Sequence, residues 1–135
     1  MLPFEYEMKV RVRYAETDRM GVVWHGDYLR YFEDARTEAL RACGWSYRDM
    51  ERDGIMLPLT EAHIEYHRPA TYDDILTVKV RVAEPPTARL RFEYEIRNEA
   101  GEKLATGHTV LGFVDAATRR PCRPPQRLRD LFRPA

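Results

Sequence analysis

The sequence is poor in the residues that mark several common functions. Its two cysteines, Cys43 and Cys122, are too few and too scattered for a disulfide framework or a zinc site. Ser46 is the only serine and sits in no nucleophile elbow, which disfavours a serine-type hydrolase. Neither charge is in excess, with 22 Lys and Arg against 22 Asp and Glu. That balance argues against a general binder of nucleic acid or anionic membranes, although a local basic patch for a phosphate-bearing ligand stays open. No basic start leads into an apolar run, and no stretch approaches membrane-spanning length. Neither a secretory signal nor stable membrane insertion is expected, so the cytoplasm is the expected location.

What is present suits a globular chain. Hydrophobic residues make up 44% and charged residues 33% of 135 residues, enough for one domain over 1–135 and too little for two. Met8, Val10, Val12 and Tyr14 alternate with Lys9, Arg11 and Arg13, the period-two signature of a half-buried strand. A polar turn follows at Glu16–Gly21. The period then changes, because Tyr28, Phe32, Ala35, Ala39 and Cys43 recur at helical spacing. Asp27 is the expected N-cap and Gly44 the residue just past the end. Arg30, Asp34, Glu38 and Arg41 fall on the opposite side, and Glu33 with Arg36 has the spacing of an intrahelical ion pair. Ser46 and Asp49 resemble a capping box for a shorter helix closed by Gly54.

From Met56 the pattern returns to strands, alternating through Ala62–Tyr66, Leu76–Val82 and Leu90–Ile96, with a last one at about Lys103–Asp115 that is apolar on both faces. His108 within it is expected in the core. Short connections predict antiparallel neighbours. The expected class is α+β: a five-stranded antiparallel sheet wrapped around one long helix. The uncovered sheet edge predicts a homodimer or homotetramer.

Chemistry concentrates in residues 14–28. There a carboxylate, Asp18, precedes His25 by seven residues, and His25 precedes a helix start. Free N–H groups at that start could hold an oxyanion, and a nearby carboxylate could attack the same carbonyl or activate water. Asp18 taken alone would be a turn residue. However, Thr17-Asp18-x-x-Gly21-Val22-Val23-x-His25-x-x-Tyr28, continued by Tyr31-Phe32-Glu33-x-Ala35-Arg36, resembles the signature of the 4-hydroxybenzoyl-CoA thioesterase family. It is closest to the Tol-Pal-associated acyl-CoA thioesterase branch. Ile64-Glu65-Tyr66-x-x-Pro69-Ala70 with Asp73-Asp74 is a second, weaker match.

The resemblance implies the hotdog fold and hydrolysis of an acyl-CoA or acyl-carrier-protein thioester, with no cofactor beyond the coenzyme A of the substrate. It puts Asp18 at the catalytic carboxylate, as nucleophile or general base. His25 takes the motif histidine as the second catalytic position, where the helix-start amides, with or without its imidazole, polarise the carbonyl. Gly26 and Tyr28 are expected beside the substrate, Tyr28 in a mainly structural role, and Glu33 is the alternative acid. Arg68 and Arg89, near strand ends, are candidates for the coenzyme A phosphates, against the plainer reading of solvated surface arginines. No metal is expected, since His63 and His67, four apart on a strand, lie roughly 13 Å from each other. The rival readings are a hotdog hydratase or dehydratase and a non-catalytic acyl-CoA-binding module.

Overall fold

Alternating side chains become strands, and the three-four repeat becomes a helix sunk into them. The computed structural model describes residues 1–135, with strands β1 (Phe4–Arg11), β2 (Ile55–Met56), β3 (Leu59–Tyr66), β4 (Ile75–Val82), β5 (Arg89–Arg97), β6 (Lys103–Gly112) and β7 (Val114–Asp115). The helices are α1 (Asp27–Ala42), α2 (Tyr47–Arg52) and α3 (Gln126–Leu131). The first strand starts earlier than its strongest alternation and stops at Arg11, leaving Tyr14 78% exposed in a 3₁₀ turn at Tyr14–Glu16. The last predicted strand ends at Gly112, and the next residues turn away as β7 to pair with β2.

The main sheet is antiparallel in the order β1-β4-β5-β6-β3. Successive strands β4, β5 and β6 are neighbours, as short turns require. β3 and β4 are not. Residues 67–74 carry the chain past β6 and β5, a span of three strand spacings or about 14 Å, well within reach of eight residues. β3 is therefore an edge strand, and seven of its eight residues are exposed.

Helix α1 lies against this sheet and buries Tyr28, Tyr31, Phe32, Ala35, Arg36, Ala39 and Leu40. Phe32 stacks on Tyr94 of β5 with ring centroids 4.2 Å apart and an interplanar angle of 5°. Leu76, Val78, Val80, Leu90, Phe92 and Ile96 complete the core, each 0% exposed. A fully buried side chain of this kind stabilises by roughly 1.5–3 kcal/mol, so this face fixes where the helix lies. The C-terminus ends as expected, with Gly44 at φ +83°.

Three local expectations give way to tertiary geometry. Gly26, not Asp27, occupies the N-cap, because Asp27 N–H already donates to Trp24 O (2.9 Å) and the helix opens from that turn. Asp27 is the first helical residue, 3.3 Å from Arg30, where a negative charge suits the helix dipole. Arg36 does not pair with Glu33. It sits on the buried face at 9% exposure and donates from Nε to Tyr47 Oη (3.1 Å) and from Nη1 to Tyr94 Oη (3.4 Å). Finally, His108 is not in the core. Ala105, Gly107, Thr109 and Leu111 of β6 take the helix side, paired with Ile96, Tyr94, Phe92 and Leu90 of β5. Position 108 therefore faces outward, where its Nε2 lies 2.6 Å from Glu61 and its ring stacks on His63 at 5.4 Å.

Gly107 of β6 is crowded from two sides, by the neighbouring strand β3 and by Phe32 of α1. A Cβ there would come within 2.3 Å of the His63 carbonyl oxygen and 2.9 Å of Phe32 Cε2. Backbone cannot yield as a flexible side chain would. Gly107→Ala should therefore destabilise the protein by about 1–3 kcal/mol, the usual range for overpacking. Thermal denaturation reads this directly; an unchanged Tm would mean that neither β3 nor Phe32 crowds this position.

Candidate active site

Residues 16–24 form a small hairpin standing beside the start of α1. Thr17 bridges Val23, Asp18 N–H donates to Val22 O (2.9 Å), and Gly21 N–H donates back to Asp18 O (3.0 Å). The turn needs Gly21 at φ +80°, a conformation that side chains resist. Asp18 thus heads the turn. Its Oδ1 accepts the Met20 N–H (2.8 Å), while Oδ2 has no partner in the chain. The far limb is tied to the 67–74 connection through Val23 N–H to Ala70 O (2.8 Å) and a Val22–Thr71 bridge.

An open cleft of about 280 Å³ lies where these segments meet, lined by Asp18, Met20, Val22, Val23, His25, Tyr28, Tyr66, His67, Arg68 and Pro69. His25 and Tyr28 bring the opening of α1 into its lining. Asp27 N–H is engaged by Trp24, but the N–H groups of His25, Gly26, Tyr28 and Leu29 have no backbone partner. Those are the orphan donors that every helix start carries, here next to a cleft that holds a carboxylate. Gly26 is not itself in the lining; the Trp24 ring lies over it so closely that a Cβ would come within 2.3 Å. Tyr28 is 2% exposed, with its ring edge-on to Tyr66 at 5.1 Å. Burial pushes its phenol pKa upward, opposed by a backbone hydrogen bond from Ala70.

The arginines separate. Arg68 lines the cleft, and its Nη1 is 2.7 Å from Glu102. Arg89 opens β5 opposite Gly112, whereas the cleft lies at the other end of the sheet, beside Tyr66 of β3. A strand has two ends, and the sequence does not say which one meets the site. Glu33 is exposed and borders a different hollow, with Arg36, Tyr47 and Glu51. His67 turns its Nε2 to Thr106 Oγ1 (3.0 Å), away from His63, which stacks on His108.

Two residues at or behind the cleft received no role from the sequence, although Tyr66 belongs to the second motif. Tyr66 lines the cleft and donates from Oη to the His25 carbonyl (2.8 Å), holding the turn into α1. Glu16, in what reads as a polar turn, is only 3% exposed. Its carboxylate accepts from Arg13 N–H (2.8 Å), Arg13 Nε (3.2 Å), Tyr31 Oη (2.8 Å) and Arg30 Nη2. Burial alone would raise its pKa. The Arg13 N–H, the Tyr31 hydroxyl and the two guanidinium groups outweigh that and hold it at about 2. The available signal was a carboxylate flanked by Arg13 and, one helix start later, Arg30 and Tyr31.

With this geometry in hand, residues 12–132 match the profile of the thioesterase-like superfamily. The chain is 33% identical over 134 residues to the acyl-CoA thioesterase YbgC of Haemophilus influenzae, covering 98% of this chain and 97% of that one. Among solved structures it is similar to the DHNA-CoA thioesterase of Staphylococcus aureus, with a TM-score of 0.87, 37% identity and coverage of 94% and 85%. It is also similar to a 1,4-dihydroxy-2-naphthoyl-CoA thioesterase from Synechocystis, with a TM-score of 0.85, 26% identity and coverage of 91% for each chain. The wrapped helix is the hotdog fold.

Because the folded pKa of Glu16 lies below its ordinary value of 4.5, its ionised form stabilises the fold above pH 4.5, and that contribution is lost as pH falls towards 2. A shift of this size corresponds to about 3 kcal/mol. Urea denaturation followed between pH 5 and 2 should show a steep loss of stability that is markedly shallower in Glu16→Gln. Parallel curves for the two proteins would contradict the assignment.

Proposed function

Since the chain belongs to the thioesterase-like superfamily, we propose that it hydrolyses acyl-CoA thioesters to a carboxylic acid and free thiol. The observation that carries this reading is the meeting of Asp18 with the unsatisfied opening of α1 in one cleft. Within the superfamily we place it nearest the 4-hydroxybenzoyl-CoA thioesterase family and its Tol-Pal-associated branch. The run Thr17-Asp18 to Ala35-Arg36 supports that placement. Acyl-carrier protein is the alternative carrier of the same pantetheine thioester.

In this reading the thioester carbonyl lies over the start of α1, its oxygen towards the free N–H groups around His25 and Gly26. Charge accumulates on that oxygen as the tetrahedral intermediate forms, and donors already fixed in place stabilise it with little reorganisation. The Asp18 carboxylate either attacks the carbonyl carbon or takes a proton from a water that attacks it. The carbon–sulfur bond then breaks, and the departing thiolate takes up a proton; where Asp18 itself has attacked, water next cleaves the acyl–Asp18 anhydride, releasing the acid and freeing the carboxylate. Water is the only co-reactant, so the chemistry calls for neither a metal nor a redox cofactor. Tyr28 and Tyr66 hold the cleft wall, and Arg68 offers its guanidinium to a coenzyme A phosphate. Arg89 has no place in this arrangement.

We also place the enzyme in the cytoplasm, where its two free cysteines would stay reduced. Exposed β3, with a neighbour on one side only, supports assembly as a homodimer or homotetramer. Sedimentation equilibrium should give two or four times 15.9 kDa; a monomer at micromolar concentration would contradict this.

Thiol release measured across acyl-CoA chain lengths and aromatic acyl-CoAs tests the activity. Wild type should turn over at least one class, and Asp18→Asn should lower kcat on it by about 10²–10⁴, the usual contribution of a positioned acid–base group. A folded Asp18→Asn protein with full activity would overturn the reading.

A further inference from the structure

We infer that Glu16 is a positioning residue: its carboxylate clasps the hairpin bearing Asp18 to the first turn of α1 and thereby sets how the position-18 carboxyl group faces the helix-start N–H groups. The inference rests on Asp18 being the reacting carboxylate and adds a residue that acts only through it.

Three observations support it. First, Glu16 bonds to both things that must be aligned. Its side chain reaches Arg30 and Tyr31 on α1, and its backbone carbonyl accepts the Trp24 N–H (2.9 Å) at the base of the far limb. Second, no other side chain of residues 13–24 makes a hydrogen bond to α1, so the side-chain link between hairpin and helix runs through this one carboxylate. Third, Glu16 is not a second reacting acid. It is 3% exposed, both its oxygens are occupied, and it is absent from the cleft lining.

The physical consequence follows from what catalysis demands of geometry. The 16–24 hairpin is short, and its outer end, at Arg19–Gly21, is exposed. Its other fastenings are Val22 and Val23, which hold it to the 67–74 connection, and at its base the Asp27 N–H to Trp24 O bond, which holds the end of the far limb and not the limb that carries Asp18. Without the clasp the hairpin stays attached, but the angle between its turn and the axis of α1 is no longer fixed. A displacement of about 1 Å between a catalytic group and its target costs on the order of 10²-fold in rate. Binding of the coenzyme A portion, which this reading gives to Arg68, would be little affected. The expected signature is thus a fall in kcat with KM held.

The test is steady-state thiol release on the best wild-type acyl-CoA, at a temperature where circular dichroism shows every variant folded. Glu16→Gln keeps the size but turns an acceptor into a donor facing Arg13 and Arg30. It should lower kcat by about 10- to 100-fold, with KM within about threefold of wild type. Tyr31→Phe keeps the buried ring and removes one donor. It should fold normally and lower kcat several-fold in the same direction, and Glu16→Asp should recover part of the loss seen in Glu16→Gln. The midpoint of the pH–rate profile should not move, because the clasp takes no part in proton transfer. Wild-type kcat in folded Glu16→Gln and Tyr31→Phe would overturn the inference. So would a loss that vanishes on cooling, which marks a purely structural role, or one that falls on KM. A wild type that hydrolyses no thioester would end the hydrolase reading and this inference with it; a working wild type with unaffected variants ends the inference alone.

Discussion

Everything in this molecule depends on α1 being pressed into one face of the sheet. Phe32 lies flat on Tyr94, and Gly107 lets helix and β3 approach where no Cβ would fit. Burial of Tyr31, Ala35, Ala39 and Leu40 on the same side leaves the helix no freedom to slide or roll. Its N-terminus is thereby held at one end of the sheet, next to the 67–74 connection. A helix start cannot satisfy its own first N–H groups, so the fold delivers a fixed set of donors to that spot whether or not a substrate is there.

The same spot receives two carboxylates of the same short segment in opposite surroundings. Glu16 is buried under four donors and held ionised down to about pH 2. Asp18, two residues on, heads the turn with one oxygen spoken for and the other without a partner, at the wall of an open cleft. Environment and not residue type separates a structural carboxylate from an available one. The chain achieves this by leaving the 3₁₀ turn at Glu16 and reversing at Gly21, so that one side chain faces inward and the other borders the cleft.

What the sequence disclosed was local. Period-two and period-3.6 patterns are set by residues a few positions apart, and they located the strands, α1 and the capping box at Ser46. The motif from Thr17 to Tyr28 pointed at the cleft for the same reason: its members lie close along the chain. What stayed hidden depends on contacts across the fold. The crossing of β3 past two strands is a choice of partner that no short turn reveals. His108 sits in a strand apolar on both faces, so its side could not be assigned from the pattern. Arg36 looked like a surface ion-pair partner of Glu33 until the core tyrosines supplied its acceptors. Glu16 needed Arg30 and Tyr31, 14 and 15 residues away, before its burial made sense. Arg89 shows that lying near a strand end does not specify which end.

Hydrolysis here requires that the carboxyl group at position 18 and the N–H groups opening α1 address one carbonyl. The most direct measurement is a crystal structure with an acyl-CoA analogue whose thioester sulfur is replaced by methylene, leaving a ketone that cannot be hydrolysed. The ketone carbon should lie within about 3.5 Å of an Asp18 oxygen or of a water bound to it, with the ketone oxygen turned to the N–H groups around His25 and Gly26. An analogue bound elsewhere, or bound here with Asp18 turned out to bulk solvent, would contradict it.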